Sequence, residues 1–308
     1  MNKNFVVFIL THGRPDNVKT LKTLRRCGYT GEIYYVVDNE DKKVQRYIQK
    51  FGKDRVRIFD KKAYADSIDE GNNFDERRTI THARNACFDI AEDLGYKYFI
   101  ELDDDYTAFE WRYEEGGKLK VLGISNLDKI LSLYLDFYKK TPFSSIAFAQ
   151  GGDFIGGVGN TTVRTRAMKR KAMNSFICSP KRRFQFVGAM NEDVNTYTTL
   201  GSRGVLFGTV PMISLTQTAT QSGESGITDM YLRYGTYAKS FTTVMMHPSS
   251  VKVSMMKSRQ MRIHHAIKWI NTAPMILSDK YRISKERPTD LFAQKEIQNF
   301  NLVLILEL

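Results

Sequence analysis

Residues 96–105 read Tyr-Lys-Tyr-Phe-Ile-Glu-Leu-Asp-Asp-Asp, a strand over Tyr96–Leu102 that runs straight into Asp103, Asp104 and Asp105. A strand of this kind fits a doubly wound α/β sheet, in which ligands gather beyond the carboxyl ends of the strands. Three carboxylates in a row repel one another unless a cation sits among them. Alternate residues of an extended segment point the same way, so Asp103 and Asp105 form the natural pair and Asp104 points elsewhere. Mg²⁺ or Mn²⁺ suits such a pair, because it binds through one or two carboxylates plus phosphate oxygens and water. A polar strand end with helix-capping aspartates is the competing reading of the same residues.

The flanking sequence supplies the rest of the sheet. Val6–Leu10 is a continuous apolar run, followed by the turn Thr11-His12-Gly13-Arg14-Pro15. A helix follows, with Asp16 near its start, Val18, Leu21 and Leu24 on one face and Gly28 as its stop. Ile33–Val37 is a second strand ending in Asp38, residues 42–51 read as a helix and Val56–Phe59 as a third strand. Residues 77–94 carry a longer apolar stripe (Ile80, Ala83, Cys87, Ile90, Ala91, Leu94) ahead of the acidic strand. Strands without clean alternation, separated by helices, imply parallel pairing covered on both faces. The fold class is α/β, a Rossmann-like and mostly parallel sheet flanked by helices.

After the aspartates the pattern changes. Phe109–Tyr113 and Lys118–Gly123 flank Glu-Glu-Gly-Gly, which predicts a hairpin. A helix at 126–140 leads to a strand at Ser145–Ala149 and then to the glycine-rich run 151–159. Short strands are expected at 184–187, 204–207 and 249–255, and helices near 191–201 and 227–240. The composition shift near residue 150 lies within one fold. Residues 1–150 form its first half, 151–285 its basic second half, and 286–308 a tail, with Asn301–Leu308 read as an edge strand or an ordered terminus.

Charge distinguishes the halves. The 308 residues hold 46 Lys+Arg and 34 Asp+Glu, net +12. Residues 1–150 hold 25 basic and 24 acidic side chains, whereas 151–308 hold 21 and 10. Phe154 to Asn191 contains no acidic residue, yet carries Arg164, Arg166, Lys169, Arg170, Lys171, Lys181, Arg182 and Arg183. Such a surface attracts polyanions by counterion release; a solvated loop that aids solubility is the plainer alternative. Ordinary apolar content (42%) and 12% aromatics exclude general disorder. No run of about 18 apolar residues predicts a membrane span, and residues 5–10 are too short for a signal-peptide core. Cys27, Cys87 and Cys178 are far apart and odd in number, so they read as reduced thiols of a cytosolic protein.

Other candidates fall at the same sheet edge. Thr11, His12, Gly13 and Arg14 offer backbone amides and a cation to a nucleotide, and Asp38 can accept from a ribose or base edge. Arg84-Asn85 lies within reach of a phosphate, although Arg84 could equally pair with a carboxylate one turn away. Asn191-Glu192-Asp193 opens a helix; Glu192 reads as favourable helix-terminal charge and Asp193 as the better general base. His247, before Pro248, completes a metal shell or simply hydrogen-bonds in a loop.

The ordered set resembles a GT-A glycosyltransferase: the Thr-His-Gly-Arg-Pro loop, a strand ending in Asp38, Arg84-Asn85, Leu102-Asp103-Asp104-Asp105, a glycine loop, Glu192-Asp193 and a later histidine. More narrowly, over roughly residues 4–256, it resembles the TET-associated glycosyltransferases of bacteriophages, relatives of the base J glucosyltransferase. The resemblance implies a GT-A fold with a nucleotide-sugar and metal-binding first half and an acceptor-binding second half. It implies Mn²⁺ or Mg²⁺ on Asp103, Asp105 and His247, and a UDP-sugar donor (UDP-glucose or UDP-arabinose). Thr11, His12, Gly13, Arg14, Asp38, Arg84, Asp103 and Asp104 would surround the donor, with Gly151 and Gly152 flanking the sugar pocket. Asp193, with Glu192 as the alternative, would be the base. The implied acceptor is the hydroxymethyl group of 5-hydroxymethylcytosine or 5-hydroxymethyluracil in double-stranded phage DNA, held by the eight cations. The implied role is protection from host nucleases, in the bacterial host cytoplasm and without a membrane partner. A transferase acting on a glycan, lipid or protein, a non-catalytic nucleic-acid-binding module and a metal-dependent nuclease are the rival readings.

Overall fold

The fold is described from a computed structural model, covering residues 3–71, 77–160, 174–218, 228–256 and 262–272. A nine-stranded sheet runs in the order β3-β2-β1-β4-β8-β7-β9-β5-β6. Its strands are β1 (Phe5–Leu10), β2 (Ile33–Asp38), β3 (Val56–Phe59), β4 (Tyr98–Asp103), β5 (Tyr106–Glu115), β6 (Lys118–Gly123), β7 (Ser145–Gln150), β8 (Phe176–Cys178) and β9 (Phe207–Gln217). Only β8 and β5 oppose the common direction, so the sheet is mostly parallel. The two halves of the sequence share it, since β8 and β9 come from beyond residue 150.

Helices α1 (Lys19–Arg26), α2 (Val44–Phe51), α3 (Lys61–Ala65), α4 (Thr81–Asp93) and α5 (Leu127–Lys140) connect the strands. All six residues of β1 are buried, as expected of a strand covered on both faces. One apolar cluster joins β1 and β2 to Leu24, Tyr134 and Tyr138; the other packs Phe8, Phe99 and Phe88 under α4. Phe88 meets Phe99 edge-on at 5.1 Å, a geometry worth about 1 kcal/mol beyond burial. Gly28 ends α1 at φ +85°, and a Cβ there would sit 2.3 Å from the Ser125 carbonyl oxygen. The hairpin turns through Gly116-Gly117 at φ +56° and +71°, with Glu115 opposite Lys118.

Several expectations change. Residues 184–187 form no strand; their place is taken by β8. The strand expected at 204–207 is instead Phe207–Gln217. The expected 227–240 helix spans Thr228–Met246 and breaks its geometry at Gly235, and β10 (Val251–Met256) pairs with an unforeseen β11 (Arg262–Ile267). Among the described residues no helix is long and apolar enough to cross a membrane. The three cysteines are buried and free. Residues 286–308 lie outside the described residues.

Candidate active site

Register brings the first loop to the acidic strand. Leu10 is the Cα partner of Asp103, so Thr11–Arg14 leaves β1 beside the aspartates. Asp103 accepts from Arg84 Nη2 at 2.9 Å. Asp104 turns the other way, accepting from Thr11 Oγ1 at 2.7 Å and pairing with Arg14 Nη2 at 2.7 Å. Asp105 keeps a buried Oδ1 with no hydrogen-bond partner among the described residues. The strand ends at Asp103 and turns at Asp104-Asp105, so Asp104 faces the β1 loop, Asp103 faces Arg84, and Asp105 lies near the charges of Arg14 and Lys19. Asp104 is 1% exposed, and both of its described contacts hold the loop. Thr11 is equally committed, to Asp104 and to Tyr47 Oη at 2.9 Å.

Arg84 is the centre of the cluster. It is 1% exposed, flanked by the Phe176 and Phe186 rings, and pairs with Glu101 (3.4 Å), Asp103 (2.9 Å) and Glu192 (3.0 Å). Burial favours its neutral form, but Asp103, Glu192 and Glu101 outweigh that and keep it charged. The carboxylates fare worse. Burial, only partly offset by Arg84, pushes Glu101 up to about 8 and Asp103 up to about 7. Burial likewise lifts Asp104 to about 6 against Arg14 and Thr11. The acids here outnumber the guanidinia of Arg84 and Arg14, so protons or a bound cation must balance the excess. A direct phosphate contact expected of Arg84 does not follow, because the side chain is enclosed; it positions Asp103 and Glu192. Asn85 is also committed, donating to the Phe186 carbonyl at 3.0 Å and accepting from its N–H at 2.8 Å.

The β1 loop and the end of β2 form a second cluster. Asp38 is buried and pairs with His12 Nδ1 at 2.5 Å and Lys61 Nζ at 3.4 Å. Burial would raise its pKa, yet the His12 hydrogen bond and the Lys61 charge hold it below the usual carboxylate range. Gly13 N–H donates to Asp41 Oδ2 at 2.6 Å and Arg14 N–H to Tyr47 Oη at 2.7 Å, while the His12 side chain stays half exposed. His82, fully buried with Nε2 2.8 Å from Glu70 Oε1, is pushed down to about 4 by burial and then by the Lys61 charge. Sequence reading missed Lys61, Asp41, Tyr47 and Glu101. Lys61 alone left a signal, a cation just beyond the carboxyl end of the third strand.

Asn191, at φ +55°, precedes the Glu192–Ser202 helix and donates to the Lys239 carbonyl at 2.7 Å and Thr243 Oγ1 at 3.0 Å. This places Glu192 on Arg84 and Asp193, also buried, in the same first turn. Gly151 and Gly152 follow β7 at the same sheet edge, exposed, with open space where a Cβ would stand.

His247 and the basic segment lie apart from the acidic cluster as far as the described residues show. Among the described residues no three His, Cys, Asp or Glu side chains are placed to hold one metal ion, so His247 does not join Asp103 and Asp105. Pro248 follows it at the end of the Thr228–Met246 helix, its Nδ1 lies 3.3 Å from Ser249 Oγ, and its pKa is depressed by burial and then by the Arg203 charge. The basic segment also divides. Arg164, Arg166, Lys169, Arg170 and Lys171 lie outside the described residues. Lys181, Arg182 and Arg183 follow β8, which runs antiparallel to β4 and so carries them to the edge opposite Asp103. Arg182 Nη1 donates to the carbonyls of Tyr138, Thr141 and Phe143, satisfying the open end of α5, and its guanidinium lies over Tyr138. Arg183 pairs with Asp89 at 2.5 Å and Glu92 at 3.7 Å. Neither is a phosphate contact of the acidic cluster. Arg182→Ala is expected to cost about 2–3 kcal/mol in denaturant unfolding, without altering the salt dependence of polyanion binding.

The chain matches the TET-associated glycosyltransferase family over residues 5–226, well over half its length, and belongs to that family of glycosyltransferases. No curated protein matches its sequence. Among solved structures it is similar to glucosyl-3-phosphoglycerate synthase from Mycobacterium tuberculosis in complex with Mg²⁺ and UDP. There the identity is 9% and the TM-score 0.45, over 85% of this chain and 87% of that one. It is also similar to the mannosyltransferase PcManGT from Pyrobaculum calidifontis in complex with GDP-Man and Mn²⁺ (12%, 0.45, 71% and 58%). A third is S. aureus TarS 1-349 in complex with UDP (9%, 0.42, 79% and 64%).

Proposed function

We propose that the protein is a GT-A enzyme that moves a sugar from a UDP-sugar to the hydroxymethyl group of a modified pyrimidine in DNA. The observation that carries this reading is the unpartnered buried oxygen of Asp105 beside Arg84-held Asp103, at the carboxyl end of β4 in a chain of this family. The site fits a hard divalent cation: its donors are carboxylate oxygens, one has no partner among the described residues, and the acids outnumber the guanidinia of Arg84 and Arg14. Two protein carboxylates suffice for Mg²⁺ or Mn²⁺ when diphosphate oxygens and water complete the shell. When bound, such an ion neutralises charge on the leaving diphosphate.

The chain's own residues do the rest. Asp103 and Asp105 hold the ion, and Arg84 fixes Asp103. Asp38, oriented by His12 and Lys61, takes hydrogen bonds from the uridine, while Asp104 keeps Thr11–Arg14 in place beneath it. Glu192 is paired with an arginine that stays charged, so the proton of the acceptor hydroxyl goes to neighbouring Asp193. The cations at 164–171 contact phosphates without reading base sequence. Nucleoside mass spectrometry tests this: hydroxymethylated DNA, unlike plain DNA, gains a hexose or pentose mass with one member of a UDP-sugar panel. A second reading, a glycan, lipid or protein acceptor, draws support from the placement of Arg182 and Arg183 away from the acidic edge. Metal-dependent turnover of a UDP-sugar with no glycosylated nucleoside would select it.

A further inference from the structure

Beside Asp105, three side-chain amides converge where β7, β8 and β9 meet. Gln217 is the Cα partner of Tyr106, the residue after Asp105, and the next residue, Thr218, donates its N–H to the Asp105 carbonyl at 3.2 Å. Lys19 Nζ donates to Thr218 Oγ1 at 3.2 Å, tying the same corner to α1. Gln217 Oε1 accepts from Gln150 Nε2 at 3.4 Å and from Asn174 Nδ2 at 3.2 Å. Both neighbours are themselves fixed. The Gln150 side chain accepts from the Asp153 backbone, whose carboxylate accepts from Gln150 N–H at 3.0 Å. Asn174 takes φ +47°, and its carbonyl accepts from Tyr106 Oη at 2.6 Å. A left-handed non-glycine residue costs of the order of 1 kcal/mol or more and persists only where its surroundings enforce it.

With its oxygen engaged twice, the Gln217 amide is oriented, and no acceptor among the described residues takes its –NH₂ group. A part-buried, preoriented neutral donor suits an uncharged, hydroxyl-bearing group better than a phosphate. The transferred sugar is bonded directly to the diphosphate, hence within a few ångströms of whatever Asp103 and Asp105 hold. We infer that Gln217, held by Gln150 and Asn174, reads the hydroxyl groups of the transferred sugar and sets which nucleotide sugar is used. This rests on the donor-site reading above.

Gln217→Glu keeps the oxygen that Gln150 and Asn174 address and removes the outward donor; Gln217→Met removes both. With Mn²⁺ and a panel of UDP-sugars that includes deoxy analogues, both variants lose roughly 10- to 100-fold in kcat/KM for the preferred donor. They discriminate less against the analogue lacking the hydroxyl, while Gln217→Met binds UDP itself as the wild type does. An unchanged ranking of donors in both variants overturns the inference, as does a loss that follows UDP affinity or melting temperature alone. Failure of the wild type to bind UDP in Mn²⁺ overturns the donor-site reading, and this inference with it.

Discussion

Asparagine in place of Asp103 or Asp105 eliminates sugar transfer while the protein remains folded. Each substitution keeps volume and removes a negative charge from the strand end proposed to hold the cation. Loss of the ion's charge stabilisation is worth several kcal/mol, or about 10³-fold or more in kcat. UDP titrated in Mn²⁺ is expected to bind weakly to both variants, although the residues proposed to face the nucleoside are untouched. Thermal unfolding separates this from damage. Asp103 is one of three carboxylates pressed on a single buried guanidinium, so Asp103→Asn melts at or above the wild-type temperature when no metal is added. Asp104→Asn is the contrast. It weakens the hold on Thr11 and Arg14, and its expected cost is about 1–3 kcal/mol of stability with part of the activity retained. Wild-type turnover by Asp105→Asn would remove the cation from this site.

The parallel half of the fold was legible because β1 and β2 are almost wholly buried and read as apolar runs without alternation. The insertions were not. β8 has three residues, too few for any periodicity, and its place in the sheet is fixed by Phe176 opposite Glu101 and Cys178 opposite Phe99. β9 contains Gly208 and Pro211, which read as breakers. The sheet absorbs Pro211 at a register shift, where Phe148 faces Val210 and Ala149 already faces Ser214. Phe184–Val187 alternates like a strand, yet the ladder its backbone would need is replaced by the Asn85 amide on both polar groups of Phe186. The candidate site divides in the same way. Aspartates at a strand end and a polar loop after β1 announce themselves locally. The commitments of Arg84, Asp104 and Arg182 depend on partners far along the chain, from Thr11 to Glu192, and residue type alone could not assign them.

Arg84→Met unfolds the protein more readily than any other single change at this site. The side chain is sealed between two phenylalanine rings, so methionine replaces most of its volume and leaves Glu101, Asp103 and Glu192 without a counter-charge. Removing one partner of a buried ion pair costs about 3–5 kcal/mol, because the remaining charge stays desolvated. Burial pushes Glu101 up to about 8, and its Oε1 has no partner among the described residues. Glu101→Gln alone is therefore expected to change stability little, and in the Arg84→Met background to restore part of the loss. The coupling in that double-mutant cycle should reach 1 kcal/mol or more, within the range of roughly 0.5–3 kcal/mol for groups in contact. Arg84→Lys recovers less than its charge suggests, since one ammonium cannot fork to three carboxylates on β4 and the Glu192–Ser202 helix. Because Arg84 joins Asp103 to Glu192, its loss also separates the strand end proposed to hold the metal from the turn that carries Asp193. Variants still folded at low temperature should then fall further in kcat than in UDP affinity. A purely structural arginine would lower the unfolding midpoint and leave kcat per folded molecule at the wild-type value.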